Sequence, residues 1–202
     1  MPDRPEAPRV HPEDRNEWRS WLLSHHQSET GVWLVTWRKA AGKPILGYDD
    51  AVSEGLCVGW VDSLPKKLDE LRTMLYFSPR KPRSAWSRPN KQRVERLRAA
   101  GLMTEAGERV IALAEANGAW SMLDDVEDLI EPEDLQAALD ATPMARQHWL
   151  AFPPSARRGI LEWIVQARTE PTRAKRVAET ARLAGDNQRA NQWSRKNRGD
   201  VS

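Results

Sequence analysis

A single cysteine, Cys57, stands in a chain of 202 residues, beside only two phenylalanines and two tyrosines. One thiol excludes an internal disulfide framework and any cysteine-rich zinc site. It also fits a reducing compartment, so a cytoplasmic location is expected. No apolar run approaches the roughly 18 residues of a membrane span, so no spanning helix is expected. The opening residues, MPDRPEAPRVHPEDRNEW, lack an apolar segment, and no secretory signal is read there. The G-x-G-x-x-G fingerprint, the P-loop, the G-x-S-x-G elbow and the H-E-x-x-H motif are all absent. No cofactor is expected, and the pair His25–His26 lacks partners at ligand spacing, so no metal site is expected either.

What is present is unevenly placed. Net charge is +2, yet residues 78–93, SPRKPRSAWSRPNKQR, carry six basic residues and no acid. Residues 122–140 carry eight acids and no base, and 155–202 carry eleven basic against five acidic residues. These blocks are either solvated helix faces that pair with one another or parts of one anion-binding face. Ten tryptophans outnumber all other aromatics. Most are expected in or beside the core, with one or two free to stack on a ligand.

The pattern predicts an α+β protein: a small antiparallel sheet with helices in the N-terminal part and an all-helical C-terminal part. Trp18, Trp21 and Leu22 recur at helical spacing, which predicts a helix over 12–26. GVWLVTWRK (31–39) reads as a buried strand, and Asp49–Asp50 open a short helix that ends at Gly59. WVDS is a strand or a turn. Leu71, Thr73, Leu75 and Phe77 alternate with Arg72, Met74 and Tyr76, a half-buried strand stopped by Pro79. Beyond Pro89 the pattern is helical, with helices ending at Gly101 and Gly118 and four later ones each expected to begin at a proline. The expected boundaries are 1–118 for the α+β domain, 119–187 for the helical module and 188–202 for a flexible polar tail.

The candidate site lies between the 56–63 segment, the 71–81 strand and the start of the helix near 89. Pro79, Pro82 and Pro89 keep the basic stretch irregular, and Ser87 and Asn90 are candidate caps of the helix that follows. A helix start favours an anion, and Arg80, Arg88 and Arg93 supply fork-shaped donors. Trp86 is placed to stack on a planar ligand or on an arginine. Asp62 caps the next segment, pairs with Arg72 or Arg80, or lines a pocket. The expected ligand-binding set is Trp60, Asp62, Arg72, Arg80, Trp86, Ser87, Asn90 and Arg93. The alternative for the whole stretch is a solvated loop with Trp86 in the core. Cys57 sits near a helix end, where the dipole raises a thiol pKa, so it reads as a buried small hydrophobe.

Two longer stretches carry a family resemblance. LCVGWVDSLPKKLDELRTMLYFSPRKPRSAWSRPNKQRVERLRAAGLMTEAG and FPPSARRGILEWIVQARTEPTRAKRVAETARLAG, with GVWLVTWRKAAGKP as a weaker third, resemble the YdeI/OmpD-associated, or bacteriocin-protection, family. The resemblance implies a bacterial intracellular protein linked to tolerance of bacteriocins or stress, and it carries over no catalytic residue. The leading expectation is therefore a non-enzymatic protein that binds an anionic small molecule or an acidic protein partner. Arg157, Arg158, Arg173, Lys175 and Arg176 are the candidate docking face for such a partner, unless they pair with the acids of 122–140. A nucleic-acid-binding protein using the 78–93 stretch ranks second, since aromatics beside cations suit single strands. An enzyme using Asp62 or Cys57 ranks last.

Overall fold

The computed structural model describes residues 7–191. They fall into two compact units that divide between Ser121 and Met122. None of the helices described is long and apolar enough to cross a membrane. The polar tail expected from 188 lies outside the described residues from 192 onward; before that point Ala190 is buried.

The first unit is α+β. Its strands are β1 (Arg9–Val10), β2 (Val32–Trp37), β3 (Trp60–Lys67) and β4 (Arg72–Pro79), in the spatial order β1-β2-β4-β3. β2, β4 and β3 pair antiparallel, as expected, but the two-residue β1 adds to β2 in parallel, which no periodicity of so short a segment could signal. Side chains alternate across the sheet. Val32, Leu34, Leu75 and Phe77 face one core, while Trp33, Val35, Met74 and Tyr76 form a second, smaller cluster on the other side. β3 runs to Lys67, well past the WVDS expected. Pro65 obscured it, yet β3 is an edge strand with an irregularity between Asp62 and Pro65, where a missing donor is tolerated.

The helices of this unit are α1 (Arg15–His25), α2 (Tyr48–Cys57), α3 (Arg88–Ala99) and α4 (Glu105–Ala116). Asp14 caps α1 by accepting from the backbone N–H groups of Asn16 and Glu17. α2 is the centre: Ala51 through Cys57 are all buried, and α1, β3, α3 and α4 pack around it. Among those buried residues is Glu54, whose Oε1 accepts from Arg15 Nε at 2.6 Å and whose Oε2 accepts from Arg19 Nη1 at 2.7 Å. The N-terminus of α4 is seated on the C-terminus of α2. Thr104 donates its hydroxyl to the Cys57 carbonyl at 2.7 Å and accepts from the Gly107 N–H at 3.2 Å.

The second unit is helical: α5 (Asp124–Glu127), α6 (Glu133–Ala141), α7 (Ala145–Ala151), α8 (Pro154–Val165) and α9 (Glu170–Gly185). α9 packs on α6, α7 and α8 around buried Leu135, Leu139, Trp149, Ile160, Leu161 and Ile164. Proline opens these helices less uniformly than expected. Pro154 and Pro171 lie in the first turns of α8 and α9, Pro132 is the residue before α6, and α7 starts after Met144 in the left-handed region.

Candidate functional site

Arg80 follows the last residue of β4, and its N–H donates to the Gly59 carbonyl at 3.0 Å, which ties the strand end to the start of β3. The chain then turns through Pro82 and returns, so that Trp86 lies against Arg80. The guanidinium carbon is 3.9 Å from the Trp86 ring centroid, a cation–π stack. Arg80 is only 7% exposed, and Trp86 1%. Arg80 Nη2 donates to the Ala85 carbonyl, while Nε and Nη1 are buried with no acceptor, as is Trp86 Nε1. Burial without a paired carboxylate pushes the Arg80 pKa down to about 10, an effect that the charge of Asp62 only partly offsets. Arg80 stays protonated at neutral pH, a buried cation short of acceptors.

Beside this stack is a cavity of about 310 Å³. Its wall is built by the turn after α1 (His26, Gln27), the α2–β3 junction (Val58, Gly59, Trp60), the end of β4 (Pro79, Arg80) and one face of α4 (Ala106, Arg109, Val110, Leu113). Gly59 has φ +78°, and a Cβ there would meet Val110 Cγ2 at 2.7 Å, so glycine serves both the turn and the close approach of α4. No acidic residue lines this cavity. Arg109 at the mouth is exposed and paired with Glu105.

The expected set thus divides. Arg80 and Trp86 meet, with Trp60 in the same cavity wall, though Trp60 is 1% exposed and gives its Nε1–H to the His26 carbonyl at 3.3 Å. Asp62 turns elsewhere: its Oδ2 accepts from the Tyr48 hydroxyl at 2.9 Å, in a separate cleft. Asn90 and Arg93 form a third group, in which Arg93 Nη1 donates to Asn90 Oδ1 at 2.9 Å and Nε to Asp49 Oδ1 at 2.8 Å. Ser87 precedes α3 as its cap residue but its side chain makes no capping bond. Arg72 does not join any of these groups. It lies at the far end of β4, held by Asp69 at 2.7 Å, because Asp69 closes the β3–β4 turn and is nearer than Asp62. Neither expected partner of Asp62, Arg72 or Arg80, donates a hydrogen bond to it: Arg72 donates to Asp69 and Arg80 to the Ala85 carbonyl.

Sequence reasoning missed His26, Gln27, Arg109 and Val110, which come from the turn after α1 and from α4 and are remote in the chain. It also placed the closing helix at 89, whereas α4 closes the cavity. Cys57 is buried at the end of α2, and burial first, then the charge of Glu54, pushes its thiol pKa up. In the second unit two of the five candidate docking residues pair with acids of 122–140, Arg158 with Glu127 at 3.3 Å and Arg173 with both oxygens of Asp134 at 2.7 and 2.9 Å, while Arg157 Nε is buried without an acceptor. Arg176 donates to the Trp163 carbonyl and stacks on that ring. The candidate docking face is therefore largely engaged within its own unit.

The chain thus joins, in sequence, an α+β unit that holds an acid-free cavity to an all-helical unit. Residues 10–110, half of the chain, match a domain of unknown function (DUF8412), which takes in the longer N-terminal stretch up to 107. Residues 128–187 match the family described as bacteriocin-protection, YdeI or OmpD-associated. No curated protein and no solved structure matches the chain.

Proposed function

We propose that this protein is a non-enzymatic, intracellular binding protein of the bacteriocin-protection, YdeI or OmpD-associated family, and that it takes a small anion in the cavity beside Arg80. The observation that carries this reading is a guanidinium with two buried, unpartnered nitrogens in the wall of a cavity without acids. A phosphate or carboxylate group supplies the missing acceptors and neutralises the buried cation. The unpartnered nitrogens are sealed from solvent, so the anion enters with a shift of the long side chains at the wall, exposed Gln27 and Arg109. A role in tolerance of bacteriocins or stress follows the family name and stands as part of the proposal.

The test is thermal denaturation and calorimetric titration with inorganic phosphate, sulfate and citrate. Saturable stabilisation by at least one of them is expected. Arg80→Met should weaken that binding by about 1.5–3 kcal/mol, the scale of a hydrogen bond to a charged group. Equal binding to wild type and Arg80→Met would refute the site.

A further inference from the structure

The second cavity of the first unit is larger, about 540 Å³, and its chemistry is different. It opens between the N-terminal end of α2 and the helix-facing side of β2, β4 and β3. Leu34, Leu46, Ala51 and Leu75 form an apolar floor, and exposed Ile45 and Tyr48 form an apolar lip. Ile45, just before α2, is 45% exposed and Tyr48, its first residue, 58%, a large apolar surface to leave in water. Polar groups converge at one point. The Tyr48 hydroxyl spends its proton on Asp62 Oδ2 at 2.9 Å, which leaves the phenolic oxygen and Asp62 Oδ1 as acceptors with no donor among the described residues. Both residues line a volume within the range of small-molecule pockets, with an apolar body and few polar anchors.

We propose that this cleft is a second ligand site, for a small molecule with an apolar body and a protonated amine. The amine donates to Asp62 Oδ1 and to the Tyr48 oxygen, while the body lies on Leu34, Ala51 and Leu75 under Ile45. Asp62 is only partly buried, so its carboxylate draws a cation without the cost of full burial. An alcohol satisfies the same acceptors without the charge and binds less tightly. A carboxylate meets Asp62 with like charge and is rejected, which makes this site the opposite of the acid-free cavity beside Arg80. Lys39, the other charged residue of the lining, is exposed.

The experiment is calorimetric titration of the full chain with 4-phenylbutylamine, 4-phenylbutanol and 4-phenylbutyrate. Saturable binding in the order amine, alcohol, carboxylate is expected. Asp62→Asn should weaken the amine about tenfold or more and leave the alcohol nearly unchanged, the signature of one charge-assisted hydrogen bond. Tyr48→Ala, at an exposed lip position, should weaken both ligands and serves if Asp62→Asn does not fold. Saturating inorganic phosphate should not displace the amine, so failure of the anion site leaves this test intact. Preference for the carboxylate, amine binding insensitive to both variants, or no binding of any probe would overturn the proposal.

Discussion

Arg80 shows how a buried residue advertises its role by what it lacks. Its cation is desolvated and stacked, with Nε and Nη1 unpaired, so in the absence of ligand it opposes folding. Arg80→Met keeps an unbranched stem over Trp86 and removes the charge. Urea denaturation without added anions should therefore find the variant as stable as wild type or more so, by about 1–3 kcal/mol. Arg80→Ala strips Trp86 of its neighbour and should be less stable than Arg80→Met. The pH dependence has a definite sign. The pKa is about 10 in the folded protein against the ordinary 12.5, so between those values the unfolded chain binds more protons and stability from this group rises with pH. The gap between Arg80→Met and wild type should be constant from pH 7 to about 9 and narrow above about 10. Cys57 is the converse case, a residue with chemistry withheld. Its thiol is 1% exposed with a raised pKa, so native labelling by a thiol reagent should be slow and gated by unfolding. The sequence pointed to Arg80 and Trp86 because six cations without an acid mark a stretch off from its surroundings. It could not show that Arg80 turns inward, because that depends on Gly59 and α4, which approach only in the folded chain.

At the scale of elements, the helix α2 is the piece on which the first unit depends, and its charges show it. Glu54 is held by Arg15 and Arg19 from α1, and those arginines are partly exposed, at 40% and 26% of their side chains. Glu54→Gln should cost about 2–3 kcal/mol, below the 3–5 of a fully buried pair for that reason. The contact of α4 with α2 is tighter still. A Cβ at Gly107 would stand 2.3 Å from the Cys57 carbonyl oxygen, and backbone cannot give way as a side chain can. Gly107→Ala should destabilise the protein by about 1–3 kcal/mol, measured by chemical denaturation, although alanine favours a helix by up to about 1 kcal/mol. Local periodicity made α1, β2, α2 and β4 legible, since Trp18 and Leu22, or Leu75 and Phe77, repeat at the right spacing. β1 and the length of β3 were not legible. Two residues have no period, and Pro65 reads as a strand breaker until β3 is known to be an edge.

For the molecule as a whole, the remaining question is whether the basic stretch binds nucleic acid. Single-strand binding needs aromatic faces open to bases and cations open to phosphates. Trp86 is buried under Arg80, and Trp60 is buried as well, so neither offers a face. Of the cations in 78–93, Arg80 is inside, Arg93 is tied to Asp49 and Asn90, and Lys91 lies 5.4 Å from the Trp120 ring centroid. In the second unit Arg158 and Arg173 already answer Glu127 and Asp134, so the basic C-terminal block has little free field there. A net charge of +2 spread in this way makes a weak electrostatic footprint. Fluorescence anisotropy with single- and double-stranded oligonucleotides near physiological salt should therefore give only non-specific affinities, about 10⁻⁴ to 10⁻⁶ M. Submicromolar binding with a steep salt dependence would require cations other than those engaged here, and would reverse the order of the two readings.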